Sequence, residues 1–210
     1  MIFETRCAGC DRPGAAVCTS CRFALLAPPP RRRTNGVISA VSFSGRARDV
    51  VLGLKYRNRR AVGRHLAGLL VNRIVESGAH VGIDLVTWSP TSAKRRRERG
   101  FDQGELVART VARQLGVPCR RLLERDSSPS QTGRSRSERL SGPAFRARPG
   151  LEGLTVLVVD DVVTTGATLA SAATALADRG AVARLAAVAA TPDPRAGTVV
   201  PFRRPASVAA

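Results

Sequence analysis

The sequence predicts an α/β fold, a parallel β-sheet flanked by helices with a small N-terminal cysteine module, and three observations carry that prediction. The continuous run Thr155-Val156-Leu157-Val158-Val159 suits a strand buried on both faces. It is followed by Leu169, Ala172, Ala173, Leu176 and Ala177 at helical spacing and then by a strand-like Val182 to Val188, and strand, helix, strand in that order implies parallel pairing. Four of the five cysteines fall in the first 21 residues as Cys7-x-x-Cys10 and Cys18-x-x-Cys21.

In chain order, the two C-x-x-C turns each present two thiolates on one side, and together they make a tetrahedral four-cysteine set with seven residues between the pairs. Structural zinc on Cys7, Cys10, Cys18 and Cys21 is the favoured reading, with disulfides and an iron–sulfur cluster as alternatives. A closed four-cysteine site leaves no position for substrate, so its role is scaffold or contact surface. This module takes residues 1–30. Pro28-Pro29-Pro30 and Arg31-Arg32-Arg33 read as the linker out of it.

The main domain is expected over 37–190. Ile38 to Phe43 alternates as a strand does, Gly45 to Tyr56 suits an amphipathic helix, and Val62, Leu66, Leu69, Leu70 and Ile74 form one apolar face of a longer helix ending near Gly78. Asp84 to Trp88 reads as a short strand stopped by Pro90. Asp102 to Leu115 is helical up to Gly116. Cys119 suits a small buried apolar position. Ser127 to Arg139, polar and without periodicity, reads as a mobile loop, and residues 191–210 as a disordered tail. No internal repeat is present.

Composition limits the functional classes. The chain has 210 residues, 43% of them apolar, which excludes a disordered chain or a disulfide miniprotein. No apolar run reaches the roughly 20 residues that span a bilayer, and the N-terminal residues lack the basic-then-apolar order of a secretory signal, so a cytoplasmic protein without membrane insertion is expected. The net charge is +18, and only Lys55 and Lys94 among the 34 basic residues are lysine. An Arg-rich composition can follow from codon bias. The placement of the charge says more: Arg31–Arg33, Arg57/Arg59/Arg60 and Lys94-Arg95-Arg96-Arg97 with Arg99 are clusters suited to phosphate, or else solvated faces.

Asp160 to Thr168, between the apolar strand and its helix, carries the chemistry. Thr164-Thr165-Gly166-Ala167-Thr168 at a helix N-terminus offers unpaired N–H groups, the positive end of the helix dipole and three hydroxyls: a phosphate cup. It is neither a Walker loop nor a dinucleotide fingerprint. Asp160 and Asp161 would repel a polyphosphate unless they accept hydrogen bonds from sugar hydroxyls or meet hydrated Mg2+, and a phosphorylated sugar satisfies both halves of the loop. A pair that only caps a turn is the bland alternative.

Val156 to Thr168 resembles the 5-phosphoribosyl 1-pyrophosphate (PRPP) motif of type I phosphoribosyltransferases. The two cysteine turns, Leu54-Lys55-Tyr56, Arg99-Gly100-Phe101-Asp102-Gln103 and Gln131 to Arg139 resemble the ComF family more narrowly, a family associated with DNA uptake in competence. The resemblance covers Cys7 to about Val188. It implies a type I phosphoribosyltransferase-like sheet in which Asp160 and Asp161 hold the ribose hydroxyls and Thr164, Thr165, Gly166, Ala167 and Thr168 the 5-phosphate. The pyrophosphate, accompanied by Mg2+, would meet Ser89, Thr91, Ser92, Lys94 and Arg97.

Where this chain has Trp88-Ser89-Pro90-Thr91 the family more often has Pro-Val-Pro-Leu. Thr164 stands where purine-salvage members of the superfamily place an acid, which disfavours purine salvage, and no residue is assigned as catalytic. The implied activity is transfer of phosphoribosyl to an unidentified acceptor. A non-catalytic protein gripping single-stranded DNA with its zinc module and arginines, alongside the DNA-uptake machinery, is the competing expectation. The resemblance leaves the oligomeric state open.

Overall fold

The structure, a computed structural model, describes residues 4–26, 36–56, 60–126 and 143–192. The linker at 28–33, the arginines at 57 and 59, the loop expected at 127–139 and all but the first two residues of the expected tail lie outside these residues.

Six helices and six strands are formed among the described residues: α1 (Thr19–Leu25), β1 (Val37–Ser42), α2 (Gly45–Tyr56), α3 (Arg60–Glu76), β2 (Leu85–Trp88), α4 (Ala93–Arg99), α5 (Gln103–Leu115), β3 (Leu123–Arg125), β4 (Phe145–Ala147), β5 (Thr155–Val163), α6 (Ala167–Ala177) and β6 (Val182–Ala190). The central sheet is parallel, in the order β1-β6-β5-β2. On the outer edge of β2, Pro118–Arg120 adds a short parallel bridge: Val86 N donates to the Pro118 carbonyl and Arg120 N to the Val86 carbonyl.

Alternation along the buried strands separates two hydrophobic layers. Leu157, Val159, Ala186 and Val188 face one layer, built with Val50 and Leu54 of α2, Leu66 and Leu70 of α3, and Val107 and Val111 of α5. Val156, Val158 and Ala187 face the other, with Leu169, Ala172 and Leu176 of α6 and Leu123 and Ala147 of the β3–β4 pair. Of the helices that follow β2 and β5, α5 therefore lies on one face of the sheet and α6 on the other. That divergence opens a crevice at the carboxyl ends of β2 and β5, where open α/β sheets bind ligands.

Several features differ from the sequence expectations. β5 continues through Val163, so Asp160 and Asp161 lie on the strand and not in the loop: backbone pairing of Asp160 with Ala187 and Val162 with Ala189 extends the strand past the acids. Residues 93–99 form α4, capped by Ser92, whose hydroxyl accepts from Arg95 N at 3.3 Å. The antiparallel β3–β4 pair has only three residues per strand, too few for an alternation pattern to register.

The cysteine turns share the core of the main domain. Cys7, Ala8, Cys21 and Leu25 belong to the same buried cluster as Val50, Leu54 and Leu66.

Candidate functional site

The four N-terminal thiols converge: the sulfurs of Cys7, Cys10, Cys18 and Cys21 all lie within 4.8 Å of one another. The Cys10–Cys18 separation is 3.6 Å. A disulfide needs about 2.05 Å, whereas four sulfurs about 2.3 Å from a tetrahedral zinc are spaced by about 3.8 Å. The residues fit a metal ion, and a closed four-sulfur set supplies a crosslink with no open coordination position.

Burial alone would raise the Cys7 thiol, yet the backbone N–H groups of Cys18, Cys10 and Gly9 pull it down to about 6. Burial and the three neighbouring thiols push Cys21 up to about 12. Cys7 is thus poised as a thiolate while Cys21 holds its proton, which a bound cation would displace. Gly9 is required here, because a Cβ on it would lie 2.8 Å from Cys21 Sγ and 2.8 Å from Val50 Cγ2.

A cavity of about 360 Å3 opens above β5 and β2. One wall is Asp160 and Asp161 with Thr164 and Thr168, and the opposite wall is Ser89, Pro90 and Thr91 after β2. Phe43, Arg48, Arg95, Asp102 and Arg125 complete it. Asp161 N donates to Asp160 Oδ1 at 2.8 Å, which sets the first carboxylate across the strand end.

Beyond the acids, Thr164 to Leu169 surround a hollow of about 20 Å3. Gly166, at φ 83°, is the N-cap of α6, and Ala167 N donates to Thr165 Oγ1 at 3.3 Å. The first turn of α6 holds no acid, so the positive end of its dipole faces this hollow, which Asp160 also borders. The chemistry of these groups suits an anion at the loop and hydrogen-bond donors such as hydroxyl groups at the acids.

The residues expected from sequence divide between the two sides. Asp160, Asp161, Thr164, Thr165, Gly166, Ala167 and Thr168 are brought together around the cavity and its hollow. Ser89 and Thr91 line the cavity from the opposite wall. Ser89 is 6% exposed, and its hydroxyl has no hydrogen-bond partner among the described residues. Ser92 caps α4. Lys94 and Arg97 are exposed on α4 and are not among the described residues lining the cavity.

Arg95 reaches the cavity instead, joined by Arg48 and Arg125, which sequence reading did not single out. Burial and the nearby charge of Arg95 lower the Arg125 pKa, against the pull of Asp160. A run of basic residues shows charge but not which member a helix turns inward; once α4 is known, its periodicity supplies that information.

Asp102 was also missed as a site residue. It is 8% exposed, caps α5, and borders both the main cavity and a second one of about 170 Å3 lined by Arg96, Glu105, Arg109 and Arg121. Its pKa is raised by burial, in part offset by N–H groups of Thr91, Glu105 and Gly104. Trp88 is buried in the core, 4% exposed, and also touches the second cavity. Cys119 is half-buried beside the edge of β2, its thiol raised by burial.

The Phosphoribosyl transferase domain family matches residues 102–203. The DNA utilization protein YhgH of Salmonella typhimurium is 30% identical over 183 residues, covering 83% of this chain and 79% of the relative. The competence protein ComFC of Bacillus subtilis is 34% identical over 93 residues, 43% of this chain and 37% of that protein. Among solved structures, a purine phosphoribosyltransferase from Pyrococcus horikoshii superposes with a TM-score of 0.43 at 18% identity, over 62% of this chain and 74% of the other.

Proposed function

Because this chain belongs to the ComF family, with a phosphoribosyltransferase domain and an N-terminal four-cysteine cluster, we propose that it binds PRPP with Mg2+ at the carboxyl end of its sheet and transfers phosphoribosyl to a nitrogen acceptor. The observation that carries this reading is the cavity that sets two strand-end carboxylates and an anion-accepting helix start opposite the Ser89–Thr91 segment. The groups lining the cavity and its hollow suit one ligand with a phosphate, a diol and a diphosphate. The 5-phosphate belongs in the Thr164–Thr168 hollow, the ribose hydroxyls on Asp160 and Asp161, and the diphosphate toward Ser89, Thr91 and Arg95.

In the reaction so assigned, the bond from C1 to the diphosphate oxygen breaks with its electron pair leaving on the diphosphate, and the acceptor nitrogen forms the new bond to C1. Positive charge on Arg95, Arg125 and Arg48 favours the departing anion, and the walls hold the reactants in place. Mg2+, carried by the substrate, neutralises the same oxygens. Thr164 cannot serve as a base at neutral pH, so the acceptor must be nucleophilic without help at that position.

Zinc is the metal proposed for the four cysteines, in a structural role. Two C-x-x-C pairs spaced for a metal suit a reducing compartment, and we propose the cytoplasm. Among the described residues no helix is long and apolar enough to cross a membrane. The relatives' names, DNA utilization and competence, support a role in handling DNA. Exposed Lys94, Arg96 and Arg97 on α4 favour a second reading, binding of single-stranded DNA without turnover.

Calorimetric titration of the zinc-loaded protein with PRPP and Mg2+, followed by a pyrophosphate-release assay against nitrogenous bases and single-stranded DNA, separates the two. Binding with release establishes the transferase. A folded protein that binds single-stranded DNA but no PRPP overturns it.

A further inference from the structure

Asp102 divides its two carboxylate oxygens between two segments. Oδ1 caps α5, accepting from Gly104 N at 3.0 Å and Glu105 N at 3.4 Å. Oδ2 accepts from Thr91 N at 3.0 Å, reaching back to the segment that follows β2. An N-cap requires one side-chain oxygen, and a serine or asparagine provides it without burying a charge. The second oxygen therefore serves the Ser89–Thr91 segment and not the helix.

Two further details show how closely that segment is held. A Cβ on Gly104 would lie 3.3 Å from Asp102 Oδ1, 3.5 Å from the Ser89 carbonyl and 3.6 Å from Trp88 Cβ, so the start of α5 packs directly on the end of β2. Ser89 Oγ is buried, lines the main cavity, and lacks a hydrogen-bond partner among the described residues. A buried hydroxyl left without a partner costs stability unless a ligand or water completes it.

We propose that Asp102 is a positioning residue for the diphosphate subsite: by tying Thr91 N to the start of α5 it fixes the Ser89–Thr91 segment so that the Ser89 hydroxyl meets a diphosphate in the main cavity. The proposal rests on the PRPP reading and adds to it the group that shapes one half of the site. Asp102 itself need not touch the ligand.

The test compares two probes on the full-length zinc-loaded protein, Mg2+ with inorganic pyrophosphate and ribose 5-phosphate, in wild type, Asp102→Asn and Ser89→Ala. The Asn variant retains an oxygen for the α5 cap, while its amide group opposes the Thr91 N–H and deletes the tether. Pyrophosphate affinity should fall about tenfold in both variants, with ribose 5-phosphate affinity within about twofold of wild type. Combining the two substitutions should add little further loss, because both act on one segment.

Should Asp102→Asn not fold, Thr91→Pro removes the same hydrogen bond from the donor side and is read against Thr91→Ala, which loses the side chain and keeps the N–H. Pyrophosphate binding unchanged in the folded variant overturns the proposal, as does a parallel loss of both probes, which would make Asp102 only a structural cap. Wild type binding ribose 5-phosphate but not pyrophosphate also overturns it, while leaving the phosphate hollow intact. Wild type binding neither probe removes the PRPP reading and the proposal together.

Discussion

Ala8, in the first cysteine turn, and Gly53, midway along α2, touch through the space where Gly53 lacks a side chain: a Cβ there would lie 2.7 Å from Ala8 Cβ and 2.8 Å from the Ala8 carbonyl oxygen. Backbone stands on both sides of that contact, so neither partner can swing away. Gly53 is thus the point at which the cysteine module seats on the main domain.

Gly53→Ala should therefore cost about 1–3 kcal/mol, the usual range for overpacking a tight contact, despite the better helix propensity of alanine. Thermal unfolding checks it: a Tm lower by several degrees is expected. A Tm equal to or above wild type would show that the module is not seated as described.

Removing the metal should have effects beyond residues 4–26. Cys7, Ala8 and Cys21 sit in one buried cluster with Val50 and Leu66, so a chelator should expose α2 and α3 to hydrogen exchange as well as the cysteine turns. Metal analysis should give one zinc per chain, and Cys10→Ser should release it. Exchange confined to the cysteine turns would mean that the two parts are energetically separate.

Asp160→Asn combined with Asp161→Asn should lower affinity for PRPP with Mg2+ at least 100-fold, about 3 kcal/mol, by removing both charged acceptors. The side chains are part-exposed, so Tm should move by no more than a few degrees. Calorimetry and a melting curve on the same sample decide the point, and wild-type affinity in the double variant would displace the ribose from these acids.

His65 on α3 gives the expected pH dependence. Its pKa is lowered from 6.5 by burial and by the charge of Arg22 in the cysteine module. The native state holds this imidazole neutral, while the unfolded chain takes up its proton near 6.5. Its contribution to stability is therefore complete above pH 6.5 and is lost as the pH falls through 6.5 toward the lower native value. For the metal-loaded protein a Tm drop of about 1–2 °C between pH 7.5 and 5.5 is expected, smaller in His65→Gln. An identical pH profile in the two proteins would dismiss the imidazole.

The parts of the fold that were legible in the sequence are those written in local periodicity. Val156 to Val159, the Leu169–Leu176 face of α6 and the α3 face from Val62 to Ile74 each repeat often enough to define an element, and the cysteine spacing declared its own geometry. Neither the extension of β5 through Val163 nor the β3–β4 pair could be read that way. The first depends on hydrogen bonds to β6, and the second has too few residues to alternate.

The site divides likewise. The Thr164–Thr168 loop is contiguous in sequence, so its residues could be named in advance. Arg48, Arg95, Asp102 and Arg125 come from four separate elements or their ends, and only the fold places them beside one another. Asp102 was quoted in a motif and read as the start of a helix, a role it does fill; its bond to Thr91 is a long-range relation that spacing does not encode.

The sheet order has a consequence for how the protein is made. β1 is an edge strand whose partner is β6, so Val37 must await Leu185, the contact joining nearly the two ends of the described chain. During synthesis the cysteine turns and α2 can assemble early, as neighbours in sequence, whereas β1 emerges with its hydrogen-bonding edge unmatched until β6 has also left the ribosome. Such late, distant closure is slow by comparison with local folding. A nascent chain stalled before residue 182 should therefore leave the β1 edge open, with β6 not yet made.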